Sequence, residues 1–426
     1  MNEEIKSVIG LVDQHHAWFE NSLCMIASEN LISPLAREML VSDFGDRYAE
    51  GLPGKRYYNG LVYFDQVETK CMELARKVFD AKYADVRPTS ATVANIGVLF
   101  ALTKPGDIIS VPNLADGAHI STAKFGAVGV RGLNPVTYPF DIKNMNIDID
   151  ATIKVLKAAR PKVCLFGMSV FLFPTPIKEL MPTIQEIGAK TWYDGAHVLG
   201  LIAGGEFQDP LREGIDVLTG STHKTLPGPQ HGIVVSNVGD EEFQKKLASG
   251  IFPGVVSNHH LHCVASLAIT LAETLEFGKV YAKQVIKNAQ ALGQAMYEEG
   301  LDVLCPHLGF TKSHALAVNV SKHGGGKLVS DNLERANIIA NKNMLHGDTK
   351  PMTPSGIRLG TQELTRIGLK EKDMKDVAKL LKKVIIDQKD PNVVKKEVTE
   401  FRKGFKKIHY CFDKGVDPYK RFKLVQ

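Results

Sequence analysis

Apolar and polar positions change period along this chain. Short apolar runs at 107–111, 163–166, 191–193, 216–218 and 232–236 read as strands, and patterns at helical spacing fill 148–160, 177–189 and 240–249. Apolar strands separated by amphipathic helices predict an α/β fold with a mostly parallel sheet covered on both faces. Ahead of that region, Ile5, Ile9, Val12 and Trp18 predict an amphipathic helix over 3–20, which needs another surface to pack on. Residues 25–30 read as a short extended segment. Helical patterns follow from Pro34 to about Phe44, over 61–80, and from Val93 to Leu102. A long helical pattern at 259–298 leads into a second region of α+β character. Its predicted strands are 301–305, 315–320, 338–341 and 357–360, and its predicted helices 371–386 and 391–404. The expected division is an N-terminal arm over 1–55, a large domain over 56–275 and a small C-terminal domain over 276–426.

Composition narrows this picture. At 426 residues, two or three domains are expected. A hydrophobic share of 44% with 23% charged residues fits a globular protein with a substantial core. No uninterrupted apolar stretch reads as long enough to span a bilayer, and the N-terminus lacks a basic-then-apolar leader, so the expected location is cytoplasmic. Cys24, Cys71, Cys164, Cys263, Cys305 and Cys411 form no C-x-x-C pair, which predicts buried, reduced thiols. The run His259-His260-Leu261-His262 offers imidazoles, but no typical set of cysteine and carboxylate partners is evident around it, and no metal is expected. The net charge of +5 resides in residues 387–426, which hold 11 Lys/Arg and 6 Asp/Glu. Interleaved signs favour a solvated helical face over a nucleic-acid surface.

Candidate chemistry concentrates where strands end. The run Gly220-Ser221-Thr222-His223-Lys224-Thr225-Leu226-Pro227-Gly228-Pro229 lies between two apolar strands. A lysine confined there has little use as a surface charge, and a desolvated amine loses its proton easily and attacks carbonyls. Thirty residues earlier, Tyr193-Asp194-Gly195-Ala196-His197 places an acid and an imidazole at another strand end, where open α/β sheets hold their ligands. A lysine and an aspartate so disposed suit pyridoxal 5'-phosphate. The amine holds the aldehyde as a Schiff base, and the carboxylate keeps the pyridine nitrogen protonated so that the ring draws electrons from a carbanion. Upstream, Thr89-Ser90-Ala91-Thr92 opens an apolar helix and predicts a phosphate site at its N-terminus. The Gly/Pro-rich loop 47–60 carries Tyr48, Glu50, Lys55, Arg56, Tyr57 and Tyr58, a binding candidate.

Taken together, these motifs resemble the serine hydroxymethyltransferase family of fold-type-I pyridoxal-phosphate enzymes. The resemblance runs from Ala27-Ser28-Glu29-Asn30 to Gly356-Ile357-Arg358-Leu359-Gly360-Thr361. Its most specific pieces are Tyr48-Ala49-Glu50-Gly51 with Pro53-Gly54-Lys55-Arg56-Tyr57-Tyr58, and Thr222-His223-Lys224-Thr225-Leu226 with Gly228-Pro229. The resemblance implies a seven-stranded-type, mostly parallel sheet in the large domain. It implies that Lys224 bonds the cofactor, with His223 beside it in the catalytic set, that Asp194 pairs with the pyridine nitrogen, and that His119 stacks on the ring. His197 and Ser169 would contact the phenolic oxygen; Ser90, Ala91, Thr92 and Ser221 fall within the cofactor-binding set. Arg358, assisted by Ser28, would grip the amino-acid carboxylate. Tyr48, Glu50 and Tyr58 would reach a partner subunit's site, so a homodimer is implied. The implied reaction moves the hydroxymethyl group of serine to a reduced pterin and leaves glycine.

Departures fall outside Lys224 and Asp194. Gln230-His231 stand where the family usually has arginine and glycine, Val255-Val256-Ser257-Asn258 replace a glycine-rich loop, and Ser90-Ala91-Thr92 replace a Ser-Gly-Ser run. They point to a carrier other than ordinary tetrahydrofolate, such as a tetrahydromethanopterin-type pterin. The alternative reading is a pterin-independent aldolase acting on 3-hydroxy amino acids such as threonine, which uses the same carbanion chemistry.

Overall fold

The computed structural model describes residues 2–419. The end of the basic tail, residues 420–426, lies outside the described residues. Two compact units emerge: one joins the residues up to Pro34 with those from Gln284 onward, and the other runs from Leu35 to Lys283. The division drawn from the sequence set its borders at 55 and 275; the contacts group residues 35–55 with the large unit and carry that unit on to 283.

The large unit is built on a seven-stranded sheet. Its strands are β1 (Tyr83–Asp85), β2 (Ile108–Val111), β3 (Asn134–Thr137), β4 (Val163–Phe166), β5 (Lys190–Asp194), β6 (Val217–Ser221) and β7 (Gly232–Ser236). Their spatial order is β1-β7-β6-β5-β4-β2-β3. Pairing is parallel from β6 through β5, β4 and β2 to β3, while β7 runs antiparallel to both its neighbours. Every residue of β4, β6 and β7 is buried, as expected of strands covered on both faces. This is the architecture the alternation of strands and helices predicts.

The two strands of this sheet that pattern reading missed, β1 and β3, are its edges. Strand β3 has exposed ends and a half-buried middle and contains Pro135, a residue tolerated in sheets chiefly at edges because it donates no ladder hydrogen bond. The helical pattern from Pro34 also shortens. Regular helix stops at Glu38 and two 3-10 turns follow, with Ser42 between them fully extended at ψ 156°.

Helix packing brings the sheet's C-terminal edge close to a helix start. Helix α1 (Ala91–Leu102) crosses helix α2 (Glu241–Ile251) through Gly97 and Gly250. A Cβ on Gly250 would stand 2.3 Å from the Gly97 carbonyl oxygen, so only glycine permits this approach. Val98, Leu99, Ile109, Leu165, Trp192, Val217, Val234 and Leu247 form one core around the crossing.

The second unit contains β8 (Asp302–Val303), β9 (Ala315–Asn319), β10 (Asn341–Asn343) and β11 (Gly356–Gly360) in the antiparallel order β8-β9-β11-β10. A helix over Gly325–Arg335 escaped the sequence pattern because two glycines open it and no side chain caps it. Gly326 is required there, since a Cβ would meet the Gly356 carbonyl oxygen at 2.1 Å. The predicted extended segment at 25–30 is instead a turn that follows the two-residue strand Leu23–Cys24. Buried Arg366 and Arg402 hold this N-terminal segment to the same unit, donating to the carbonyls of Leu31 (3.1 Å) and Ser22 (2.7 Å).

Helix Glu3–Glu20 begins as predicted, with Asn2 accepting from the Glu4 amide at 2.8 Å. It buries no residue; Ile5, Val8 and Leu11 are more than half exposed. Helix α3 (Leu261–Glu298) is long and apolar enough to cross a membrane by length and composition. Residues such as Thr270 and Glu273 interrupt its apolar run, so the sequence does not read as a span, and most of its most apolar stretch is buried in the fold as a core helix would be. All six cysteines are free and buried.

Candidate active site

Parallel neighbours β5 and β6 end side by side, with Asp194 in register with Thr219. Beyond β6 the chain enters the lysine loop. Thr222 Oγ1 donates to the Pro229 carbonyl (2.7 Å) and its carbonyl accepts from Gly228 (2.8 Å). Thr225 Oγ1 donates to the His197 carbonyl (2.8 Å) and accepts from the Gly200 amide (3.0 Å). These bonds fix both flanks of Lys224 and turn its side chain into a cavity. Lys224 is 8% exposed, and its Nζ lies 3.4 Å from His197 Nε2.

The cavity measures about 190 Å³. Ser90, Ala91, Thr92, His119, Asp194, His197, Ser221, His223 and Lys224 line it, joined by Asn95, Gly167, Met168 and Ala196. Nine of the residues singled out in the sequence therefore share one space. Ser169 lies just beyond the lining residue Met168, where its amide and that of Val170 donate to the Gly117 carbonyl (2.7 and 3.0 Å). That pair of bonds ties the β4 loop to the loop bearing His119.

Asn95 is the residue sequence reading missed. Its Nδ2 donates to Asp194 Oδ2 at 2.7 Å, and its Oδ1 accepts from Thr219 Oγ1 at 2.7 Å. Thr219 Oγ1 in turn accepts from Trp192 Nε1 at 2.9 Å. The Ala196 amide donates to the other Asp194 oxygen at 3.0 Å. Two donors thus fix the carboxylate's plane. A polar residue on an otherwise apolar helix, five positions after Ser90, was the available signal. Close backbone packing adds to this rigidity: Gly167 has φ 127°, and a Cβ there would meet the Asp194 carbonyl oxygen at 2.2 Å.

Helix α1 starts at the cavity. Ser90 is its N-cap, accepting from the Val93 amide at 3.2 Å. The remaining first-turn amides and the positive end of the helix dipole favour an anion at this wall.

Burial pushes the His223 imidazole down to about 4, and the positive Lys224 adds to the effect. The folded protein therefore refuses a proton that the unfolded chain takes near 6.5. Stability rises with pH between about 4 and 6.5 on this account and is level above that window. We expect the urea midpoint of the cofactor-free protein to fall on acidification through this range, and His223→Gln to flatten part of the slope. An unchanged slope in the variant would remove His223 from the explanation.

Other sequence-predicted residues do not line this cavity. Exposed Tyr48 and Tyr58 and half-buried Glu50 cluster elsewhere in the large unit's loops. The Tyr48 and Tyr58 rings lie 4.7 Å apart, Tyr48 Oη is 3.2 Å from Ser257 Oγ, and Ser257 Oγ donates to Glu50. The Ala49 amide donates to Asn258 Oδ1 at 2.8 Å. Arg56 anchors the base of the loop, buried against Asp65 (2.9 Å) and Glu68 (2.8 Å). Ser28 and Arg358 belong to the second unit. Arg358 sits on β11, 8% exposed, and burial pushes its guanidinium down to about 10, still positive at neutral pH. The turn holding Ser28 is pinned beside the end of β11: Gly360 donates to the Met25 carbonyl and Gln362 Nε2 to the Ile26 carbonyl, each at 2.7 Å.

A lysine and an aspartate presented into one cavity at the ends of parallel strands, on this sheet, define the α/β class of fold-type-I enzymes. The family model described as serine hydroxymethyltransferase matches residues 1–381. The chain is 55% identical to the serine hydroxymethyltransferase of Picrophilus torridus, over 97% of this chain and 95% of that one. It is 52% identical to that of Methanocella arvoryzae over 97% of each, and 49% identical to that of Thermoplasma volcanium over 99% of each. The chain is an enzyme and belongs to the serine hydroxymethyltransferase family.

Proposed function

We propose that this enzyme reversibly transfers the hydroxymethyl group of serine to a reduced pterin, leaving glycine, with pyridoxal 5'-phosphate as its cofactor. The observation that carries this reading is the cavity that holds a buried amine, a doubly anchored carboxylate and a capped helix N-terminus together. Those groups match the cofactor's aldehyde, its ring nitrogen and its phosphate in chemical kind. Lys224 would hold the aldehyde, Asp194 the protonated ring nitrogen, and Ser90, Ala91 and Thr92 the phosphate. His119 would lie against the ring, with His197, Ser169 and Ser221 completing its polar contacts. Bound there, the cofactor supplies an electron sink for the pair left on the substrate's α-carbon when the hydroxymethyl carbon departs.

The chain's own groups do the rest. Arg358 offers a planar fork for the substrate carboxylate, with Ser28 assisting. His223, kept neutral by burial, lies beside Lys224 and offers a lone pair rather than a second charge at the amine. Glu50, with Tyr48 and Tyr58 around it, would exchange a proton at the substrate's hydroxyl oxygen. We assign this last role to the site of a partner subunit. The exposed Ile5, Val8 and Leu11 on helix Glu3–Glu20 support a homodimer, since a grouped apolar face is the kind of surface a partner covers.

We infer a methanopterin-type carrier rather than ordinary tetrahydrofolate. The support is local: Ser257 and Asn258, which stand where the family has glycines, hold Tyr48, Ala49 and Glu50 by their side chains. Filling that loop alters the surface a second substrate meets. Serine turnover measured with tetrahydrofolate, with tetrahydromethanopterin and with neither is expected to be fastest with tetrahydromethanopterin. Preference for tetrahydrofolate would overturn the carrier assignment, and serine cleavage indifferent to both would make the enzyme an aldolase.

A further inference from the structure

The histidine-rich start of helix α3 acquires a partner set that the linear sequence hides. His260 immediately precedes the helix, its carbonyl accepting from the Val264 amide at 3.1 Å. Cys263 follows three residues later, so the helical turn sets the two side chains on one face. Across from them stands His231, the residue just before β7. A ring nitrogen from each histidine and the Cys263 sulfur all lie within 4.8 Å of one another. The expectation of no metal in this stretch overlooked this fold-made juxtaposition.

His231 shows an independent sign of a missing ligand. Its side chain is fully buried, and Nε2 lies 2.8 Å from the Val86 carbonyl oxygen. A carbonyl only accepts, so Nε2 carries the proton and Nδ1 carries the lone pair. That Nδ1 is buried with no hydrogen-bond partner. A buried acceptor without a donor costs about 1–3 kcal/mol unless something else occupies it. The second-sphere hydrogen bond from Nε2 to a backbone carbonyl is also the arrangement that orients metal-bound histidines.

We propose that His231, His260 and Cys263 bind a zinc ion. Two imidazoles and a thiolate suit a borderline-soft divalent ion and select against magnesium or calcium. Tetrahedral zinc with bonds of about 2.0–2.3 Å needs its ligand atoms roughly 3.3–3.8 Å apart. The present spacing therefore closes by about 1 Å on binding, and exposed His260 is the member free to rotate inward. Binding replaces the Cys263 S–H bond by a sulfur–zinc bond and releases that proton to solvent. Water fills the fourth position on the exposed His260 side. The ion would clamp the far end of the Lys224 loop, at His231, to the start of helix α3.

The test uses the cofactor-loaded enzyme, stripped with a chelator and dialysed against zinc alone or cobalt(II) alone. Wild type is expected to retain one zinc per chain and, with cobalt, to show a thiolate-to-metal charge-transfer band. His260→Ala, a change at an exposed residue, is expected to weaken zinc binding by about 100-fold or more, beyond the loss usual for an outer-sphere partner. Cys263→Ser is expected to abolish the charge-transfer band, with circular dichroism confirming that it folds. Neither residue belongs to the proposed catalytic set, so serine turnover serves as a control for intact protein. Failure of wild type to hold zinc, or equal zinc in wild type and both variants, would overturn the proposal.

Discussion

Lys224→Ala is expected to abolish serine turnover while leaving the fold intact. The loss should reach about 10⁴-fold or more, because the amine is asked to be the nucleophile and a proton carrier at once. The same variant should lose the visible absorbance of cofactor bonded to the protein. Its cofactor-free melting temperature should change little. A buried amine costs desolvation free energy, so deleting it relieves a penalty as it removes contacts. The loop around it stays anchored by Thr222 and Thr225, whose hydrogen bonds do not involve the lysine side chain. Lys224→Arg separates charge from chemistry: guanidinium stays protonated and cannot attack a carbonyl, so this variant should be as inactive as the alanine. Turnover near the wild-type rate in either variant would end the assignment of Lys224.

Much of the sheet and of the cavity was legible before any coordinates. Strands β2, β4, β5, β6 and β7 announce themselves as short apolar runs because both of their faces are covered. Edge strands β1 and β3 lack that signal: β1 is only three residues long and ends in a buried aspartate, and no residue of β3 is fully buried. The cavity residues were legible because the chemistry needs rare types at strand ends, and Lys224 and Asp194 have no other good use there. What pattern reading cannot supply is tertiary pairing. Asn95 is one polar side chain in an apolar helix; only the crossing of α1 over β5 and β6 reveals that it bridges Asp194 and Thr219. His231 and Cys263 are likewise 32 positions apart, and the return of the chain through β7 is what brings them together. Gly97 and Gly250 illustrate the same limit from the packing side, each glycine being explained by the other's backbone.

Asp194 carries the second large expected effect, and its surroundings say which substitutions test it. Both carboxylate oxygens are committed, Oδ2 to the Asn95 amide and Oδ1 to the Ala196 backbone N–H. Two donors facing the group are compatible with a carboxylate and incompatible with an amide, whose NH₂ would oppose one of them. Asp194→Asn keeps the volume yet loses the charge and one acceptor, so it should not rescue activity. In the proposed complex the ionic partner of Asp194 is the protonated ring nitrogen, and removing one partner of such a buried pair costs about 3–5 kcal/mol. At about 1.4 kcal/mol per decade, the loss in kcat with Asp194→Ala or Asp194→Asn should be roughly 10²–10⁴-fold. Because the charge would face the proposed cofactor, retention of pyridoxal phosphate on dialysis should weaken alongside turnover, whereas a merely structural residue would lower the melting temperature without that coupling. Asp194→Glu, which restores the charge one methylene further out, should recover part of the rate. Full activity in Asp194→Asn would show that no charge is needed at this strand end, and the proposed electron-sink chemistry would fall with it.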